Sequence, residues 1–427
     1  MKQITNGVMD STKITFVIPS RNNLEFLQLA YKSIRNLETQ HEILVLNDAS
    51  TDGTQEWIDS LKDEDLITHH NPGPDRIGIV GMFDKGIEMA RTDIIMAFHS
   101  DMVAAPDLDK HILKHLEKGT VVSATRIEPP LHPDGPEKML VDFGIEVEDF
   151  DIDKFNNWVN NEYKPKHDTL VTEGIFAPWC MYKEDFLAVG GHDELFAPQS
   201  KEDSDIFNRF VLNGYKVLQT WEGLVYHFTS RGSRFNKHAG GTILRDAAQP
   251  SPEWVYTTTK NHKNFIRKWG TMVQHDPLMK PIISPKYHIT YIIENLTYDG
   301  LEDLEPWCST LYYSSGSNNF LMGADGEKFI WEHQTHTTID LSKKVKHVDK
   351  INWEELNKDG IIVKFDYKEL GENTETELKT FNNVKVLTEI GNIIQNTGEV
   401  GEYEIGCFKI KINSLEKLNN KLIKNEY

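Results

Sequence analysis

The sequence predicts an α/β protein in two parts: a first half built on a mostly parallel sheet flanked by helices, and a smaller C-terminal α+β or β-rich domain. Three observations carry this. Short apolar, β-branched runs alternate with amphipathic stretches through the first hundred residues. Each early run ends in turn-forming or polar residues. A Pro-punctuated stretch, "PIISPK", then separates a second group of strand-like pieces.

The elements follow in order. "KITFVIPS" (13–20) is apolar and closed by Pro19, so it reads as a buried strand. "NLEFLQLAYKSIRNL" (23–37) places Leu24, Leu27, Tyr31 and Ile34 at helical spacing. "HEILVLND" (41–48) is a second strand, "GTQEWIDSLK" (53–62) a helix and "DLITHHN" (65–71) a third strand. "GIVGMFDKGIEMAR" (78–91) is a helix and "DIIMAFH" (93–99) a fourth strand. Ligands of such sheets gather at the strand carboxyl ends, here Pro19–Asn22, Asn47–Ser50 and His99–Asp101. "RIEPPLHPDGPEK" (126–138) is Pro-rich and reads as a loop; 139–170 is acidic and aromatic, with Phe155, Trp158 and Tyr163 among its residues. "PWCMYKEDFLAVGG" (178–191) resumes an apolar pattern. "KEDSDIFNRFVLNG" (201–214) is a helix closed by Gly214, and "YKVLQTWEGLVYHF" (215–228) is a strand pair or one bent strand. The expected domains are 1–240, a helical linker or extension at 241–285, and 286–427. The last contains the strand-like "HITYIIENL", "KFIWEH", "GIIVKFDY", "VKVLTEI" and "YEIGCFKIKI" and a polar tail, "EKLNNKLIKNEY".

Composition bounds the partners. The chain has 427 residues, 39% of them apolar, and a formal net charge of −20. That balance argues against nucleic acid and anionic membrane surfaces as general partners. Cys180, Cys308 and Cys407 are sparse and form no C-x-x-C pair, which fits a reducing compartment. No run approaches the roughly 18 apolar residues of a membrane span, and "MKQITNGVMDSTK" lacks a signal-peptide core. A cytoplasmic protein is expected, with peripheral membrane association open. Asn295-Leu296-Thr297 matches a glycosylation triplet but is too common a pattern to weigh.

Several polar clusters carry chemistry. Asp48, at a strand end, suits a hydrogen bond from a base imide or a ribose, although "NDASTDGT" is also rich in turn formers. Asp52 reads as the turn residue, and Asp75 is a weaker nucleoside candidate. Pro19, Ser20 and Arg21 border the same strand end. Asp101 follows an apolar strand, in "AFHSDM", with His99 two positions earlier. Carboxylate ligands suit Mg²⁺, and carboxylate with imidazole suits Mn²⁺. His227, in "LVYHFTSRGSR", is a lone strand histidine, a pattern as ordinary in a core as in a metal site. Arg231, Arg234 and Lys237 on the following Gly/Ser loop are suited to a diphosphate or to solvent. Glu202, Asp203 and Asp205 open a helix, where the dipole alone favours carboxylates. At helical spacing 202 and 205 share a face and 203 points elsewhere, while Asp205 and Arg209 are placed for an ion pair.

In order along the chain, "VIPSRNN", "ILVLNDASTDGT", "NPG…GIVGMFDKGIEMARTDIIMAFHSDM", "VGGHDELF" and "KEDSDIFNRF" resemble the motifs of family 2 glycosyltransferases, over about residues 13–235. The resemblance implies the GT-A nucleotide-sugar fold. It also implies transfer of a sugar, with inversion, from a nucleoside diphosphate sugar to an acceptor hydroxyl; a UDP-linked donor is the expectation. Asp48 then contacts the nucleoside with Pro19, Ser20 and Arg21. The family's Asp-x-Asp corresponds to His99-Ser100-Asp101, so Asp101 inherits the Mn²⁺ or Mg²⁺ and Ser100 the donor side. The role of His99, whose place the family fills with Asp, lies between ribose contact, packing and the metal. His227 becomes the second ligand, with Arg231 and Arg234 over the diphosphate. Asp203 is the general base, and Glu202 holds an acceptor hydroxyl. Gly191, Asp193 and Glu194 shape the meeting place of sugar and acceptor, and Trp179 is a sugar-stacking or core residue. The acceptor is a glycan, a lipid-linked glycan or a protein; polysaccharide biosynthesis is one setting.

The rivals are a sugar nucleotidyltransferase, a non-catalytic sugar-binding descendant of the fold, and a retaining transferase. The first needs a Gly-rich loop after the opening strand, and "PSRNNLEF" has no glycine; a dehydrogenase fails on the same ground. The C-terminal domain is assigned acceptor binding, homo-oligomerisation or capping as alternatives. His333 and His336, in a strand, fall on opposite faces and read as surface histidines.

Overall fold

A computed structural model describes residues 12–315, 323–358, 360–370, 390–396 and 398–423. These form two compact units. The first gathers residues up to 261 together with 273–283; the second gathers 262–272 together with 284–422. The division falls inside one helix, Pro252–Trp269, so residues of the stretch 241–285 are assigned to both units.

The first unit follows the predicted alternation: β1 (Ile14–Ser20), α1 (Leu24–Arg35), β2 (Glu42–Asp48), α2 (Thr54–Ser60), β3 (Leu66–Asn71), α3 (Ile79–Met89), β4 (Ile94–Ala97), β5 (Met102–Ala104) and α4 (Leu108–Leu113). It continues through β6 (Thr120–Glu128), β7 (Lys138–Leu140), α5 (Ile152–Asn161), β8 (Val171–Thr172), β9 (Trp179–Tyr182), α6 (Lys183–Ala188), α7 (Glu202–Leu212) and β10 (Lys216–His227). A small hairpin, β11 (Thr242–Ile243) with β12 (Ala248–Gln249), and α8 (Pro252–Trp269) follow. The main sheet runs β3-β2-β1-β4-β9-β6-β10-β5. β3, β2, β1 and β4 are mutually parallel, as are β6 and β10, while β9 is antiparallel to both of its neighbours.

Burial explains the apolar runs. In β1, Phe16 and Ile18 face a core shared with Leu27, Ala30 and Ile34 of α1 and Ile58 of α2. Val17 faces the other side, with Met82, Phe83 and Ile87 of α3 and Ile206 and Phe210 of α7. Side chains alternate across a strand, so a sheet covered on both faces must be apolar at every position. Gly86 of α3 lets that helix lie close to the sheet: a Cβ there would come within 2.4 Å of Val17 and 2.8 Å of Leu46. β10 is one bent strand, with a register shift against β6 between Thr220 and Leu224. The Pro-rich loop starts later than predicted, because residues 126–128 complete β6. Phe155, Trp158 and Tyr163 pack with Phe143, Phe150, Tyr226 and Phe228 in an aromatic cluster of this unit.

The second unit has its own core around Tyr291, Ile293, Leu311, Phe329 and Val363. Its elements are β13 (Ile289–Leu296), α9 (Tyr298–Leu304), β14 (Thr310–Ser315), α10 (Gly326–His333), α11 (Leu341–Lys344), β15 (Val345–His347), α12 (Trp353–Leu356), β16 (Ile361–Asp366), β17 (Gly401–Ile405) and β18 (Phe408–Ile412). The sheet order is β15-β14-β13-β16-β18-β17, parallel through the first four strands and antiparallel at the last two. "KFIWEH" is helical, not a strand. Asp325 caps that helix, accepting from the Lys328 amide, and His333 stacks on Phe329 one turn back, with ring centroids 4.4 Å apart. Most of "VKVLTEI" lies outside the described residues. Among the described residues no helix is long and apolar enough to cross a membrane.

Candidate active site

The carboxyl ends of β1, β2 and β4 open onto one cavity of about 380 Å³ in the first unit. Pro19, Ser20, Arg21, Asp48, His99, Ser100 and Asp101 line it from those strand ends, and Glu202, Asp203 and His227 from α7 and β10.

The sheet brings Asp101 and His227 together. Met102 of β5 pairs with His227 of β10, and the Phe228 amide donates to the Asp101 carbonyl at 3.0 Å. The Asp101 carboxylate is buried. Its Oδ2 accepts from the Arg231 amide at 2.6 Å, and its Oδ1 lies 3.7 Å from His227 Nε2. On the far side of that ring, Nδ1 lies 2.7 Å from Glu128 Oε1. His99 joins them: His99, Asp101 and His227 each offer a ligand atom, all within 4.8 Å of one another. Burial holds the His99 imidazole below its usual range, against the pull of Asp101 and Asp203. One carboxylate and two imidazoles, turned toward one point and backed by a second carboxylate, form a chemically suitable set for a divalent transition ion.

Glu128 sits in a buried network of charges. Its Oε2 takes an ion pair from Lys138 at 2.9 Å, and Arg126 Nη1 lies 3.3 Å from Oε1. Arg126 also pairs with Glu137 at 2.7 Å and lies 3.9 Å from the Phe176 ring centroid. Burial raises the Glu128 carboxyl, but Arg126, the hydrogen bond to His227 and Lys138 outweigh it and hold the group well below the usual range.

The two carboxyls of α7 differ. Glu202 is buried, with Oε2 lacking a hydrogen-bond partner, and burial followed by the charge of Asp203 pushes its carboxyl up to about 8. Burial thus favours the protonated form of Glu202. Both Glu202 and Asp203 line the cavity, so the expectation that 203 points away from 202 does not hold. Asp205 does turn elsewhere, into a fully buried ion pair with Arg209 at 2.9 Å.

Several expected contacts are otherwise engaged. Asp48 lines the cavity, but its carboxylate also holds the 71–78 loop, accepting from Asn71 Nδ2 and the Ile77 and Gly78 amides at 2.7–2.8 Å. Asp52 serves the turn and the start of α1 through the Thr54 and Leu24 amides, and Asp75 is exposed. Ser100 accepts from Asn23 Nδ2 at 2.9 Å, and Arg21 lies 3.7 Å from Glu253. Ser20 Oγ is buried without a hydrogen-bond partner.

Four expectations are corrected. The Arg231 guanidinium is turned away from the cavity, tied to Glu146 at 3.1 Å and to the Phe228 and Ile145 carbonyls; only its amide serves the site. Arg234 lies 4.7 Å from the Trp254 ring centroid and 4.9 Å from that of Phe235 and is absent from the cavity wall, while Lys237 pairs with Glu146. Trp179 is 1% exposed, packed among Phe186, Phe210 and His192, and offers no face to a sugar. Gly191, Asp193 and Glu194 do not line the cavity. Gly191 has a φ of +70° with Asp84 against it, Asp193 caps a short turn through the Leu195 amide, and Glu194 is exposed.

Sequence reasoning missed Arg76, Arg126, Phe176, Gln199, Ser200 and Trp254, which line the cavity, and Glu128 behind His227. One signal was available: Arg126 and Glu128 interrupt the apolar run "TVVSATRIE", and charges in such a strand are buried only when paired.

Comparison with known proteins bears on the first unit. The undecaprenyl-phosphate mannosyltransferase of Micrococcus luteus is 27% identical over 121 residues, which is 27% of this chain and 49% of that protein. The chain thus spans about half the length of the curated relative it matches. Among solved structures, GalNAc-T7 with UDP, GalNAc and Mn²⁺ aligns with a TM-score of 0.43 at 13% identity, over 60% of this chain and 48% of the other. The mannosyltransferase PcManGT from Pyrobaculum calidifontis, in complex with GDP-Man and Mn²⁺, aligns with a TM-score of 0.36 at 16% identity, over 50% and 56%. Residues 15–186, from β1 into α6, match the family described as Glycosyl transferase family 2.

Proposed function

We propose that this chain is a metal-assisted, inverting glycosyltransferase that moves a sugar from a nucleoside diphosphate sugar to an acceptor hydroxyl. One observation carries the reading: Asp101, His227 and His99 meet in the same cavity as the paired carboxyls Glu202 and Asp203. Asp101 and His227 would hold the cation, with His99 completing the set. When bound, a divalent cation offsets the negative charge that grows on a departing diphosphate.

The remaining work falls to side chains. Asp203 accepts the proton of the attacking hydroxyl, as a positioned carboxylate can. Glu202, whose protonated form burial favours, donates a hydrogen bond and so orients that hydroxyl or the sugar. Ser20 Oγ, buried without a protein partner on the cavity wall, is free to bond the donor. Trp254, on α8 and beyond the family match, supplies an aromatic surface that Trp179 does not.

The test is a panel of nucleotide sugars, UDP- and GDP-linked, scored for Mn²⁺- or Mg²⁺-stimulated release of nucleoside diphosphate and for thermal stabilisation. The expected result is metal-dependent turnover of one donor, lost in Asp101→Asn and Asp203→Asn. Metal-independent release, unchanged by both substitutions, overturns the reading in favour of a non-catalytic sugar-binding protein.

A further inference from the structure

We infer that Glu128 is a positioning residue: it fixes His227 as the tautomer carrying hydrogen on Nδ1, so that Nε2 presents its lone pair beside Asp101. The inference rests on the reading of Asp101 and His227 as the cation's ligands.

The hydrogen-bond inventory leads there. Glu128 is 2% exposed, with Arg126 against Oε1 and Lys138 against Oε2, so both of its oxygens accept. Oε1, 2.7 Å from His227 Nδ1, therefore requires a hydrogen on that nitrogen. Nε2 has the complementary surroundings. The Ser230 amide points at it from 3.4 Å, a contact in which Nε2 can only accept. Asp101 Oδ1 stands 3.7 Å away, beyond hydrogen-bond distance, as two lone pairs facing one gap would stand.

The charges around Glu128 keep this arrangement. Arg126, Lys138, Glu128 and Glu137 balance as two cations and two anions. A metal takes a neutral imidazole, through the ring nitrogen that carries no hydrogen. A buried network of this kind gains little net stability over an apolar core. Its geometric effect is definite: Lys138 and Arg126 hold the Glu128 carboxylate at both ends, and the carboxylate holds the ring.

Two measurements on the full chain test this. ¹⁵N-histidine NMR of the metal-free protein, with the His227 signals identified by their loss in His227→Asn, reads the tautomer directly. The expected result is a protonated Nδ1 and an unprotonated Nε2 in the parent. In Glu128→Gln the amide has one oxygen for two positions that each face a donor. Where its NH₂ faces the ring, the hydrogen moves to Nε2, so that tautomer gains population. Binding of Mn²⁺, followed by electron paramagnetic resonance of the free ion, should weaken about 10- to 100-fold in Glu128→Gln and Glu128→Ala. Hydrogen on Nε2 in the parent overturns the inference, as does parental Mn²⁺ affinity in both variants. Glu128→Ala strands Lys138 and Arg126 and is expected to be the less stable; the isosteric Gln variant carries the test if the Ala variant does not fold. A parent protein that fails to bind Mn²⁺ counts against the metal-assisted reading, and the NMR result still decides the tautomer.

Discussion

Replacing Glu202 by glutamine separates its role from that of its neighbour. The folded protein holds this carboxyl near 8, against an ordinary 4.5. That difference corresponds to at most ~5 kcal/mol in favour of the neutral form, since each pKa unit is about 1.36 kcal/mol. Because the folded-state value is raised, the contribution to stability is fully present below about 4.5 and is lost as pH climbs through about 8. Glutamine mimics the protonated acid at every pH. Urea denaturation from pH 5 to 9 should therefore show Glu202→Gln gaining on the parent as pH rises, with most of the gain complete by pH 9. Activity should follow the same logic. At pH 7 Glu202→Gln retains turnover within about tenfold and loses the parent's decline above pH 8, whereas Asp203→Asn falls by about 10²- to 10⁴-fold, the usual worth of a general base. Parallel stability curves, or a Gln variant as inactive at pH 7 as Asp203→Asn, would refute the assignment and make Glu202 the ionised partner.

Other substitutions probe the scaffold and the cavity. Arg209→Met breaks the buried ion pair with Asp205 and should cost about 3–5 kcal/mol in urea denaturation, with kcat per folded molecule unchanged. Trp179→Ala should lose about 3–5 kcal/mol as a core deletion, whereas Trp254→Ala should leave stability nearly intact and raise a substrate KM several-fold, by about 0.5–1.5 kcal/mol of lost aromatic contact. His99→Asp, which exchanges an imidazole for a hard oxygen ligand, should shift the ratio of Mg²⁺- to Mn²⁺-supported turnover toward Mg²⁺; an unchanged ratio places His99 outside the ligand set.

The parallel half of the main sheet was legible because its strands are buried on both faces. "KITFVIPS" and "EILVLND" admit almost nothing polar until the strand end, and that break marked the cavity wall at Ser20, Asp48 and Asp101. Residues whose effect depends on chain segments far apart in sequence were not legible. "VGGHDELF" carries two adjacent acids, yet Gly191 is there to admit Asp84 of α3, and Asp193 is spent on a turn. The basic loop after His227 reads as a diphosphate clamp until Glu146 is seen to take Arg231 and Lys237. "KFIWEH" has a strand's composition, but an aspartate cap and stacking one turn apart favour the helix, as local partners often override β propensity.

His99 shows how far such reading can go. The motif it resembles carries an aspartate there, and by itself the histidine suggests a weakened metal site. The fold changes the weight of that observation. β5 and β10 set Asp101 against His227, and the turn between β4 and β5 keeps His99 in the same corner, so the position offers a nitrogen where a carboxylate would have offered an oxygen. Gaining a second imidazole while keeping one carboxylate changes the kind of ion preferred more than the capacity to bind one. Glu128, inferred to aim the His227 ring, lies 99 positions from it and reaches it because β6 and β10 run side by side. On the proposed reading, His99 and Glu128 act on the same few ångströms, the first as a candidate ligand and the second by aiming His227.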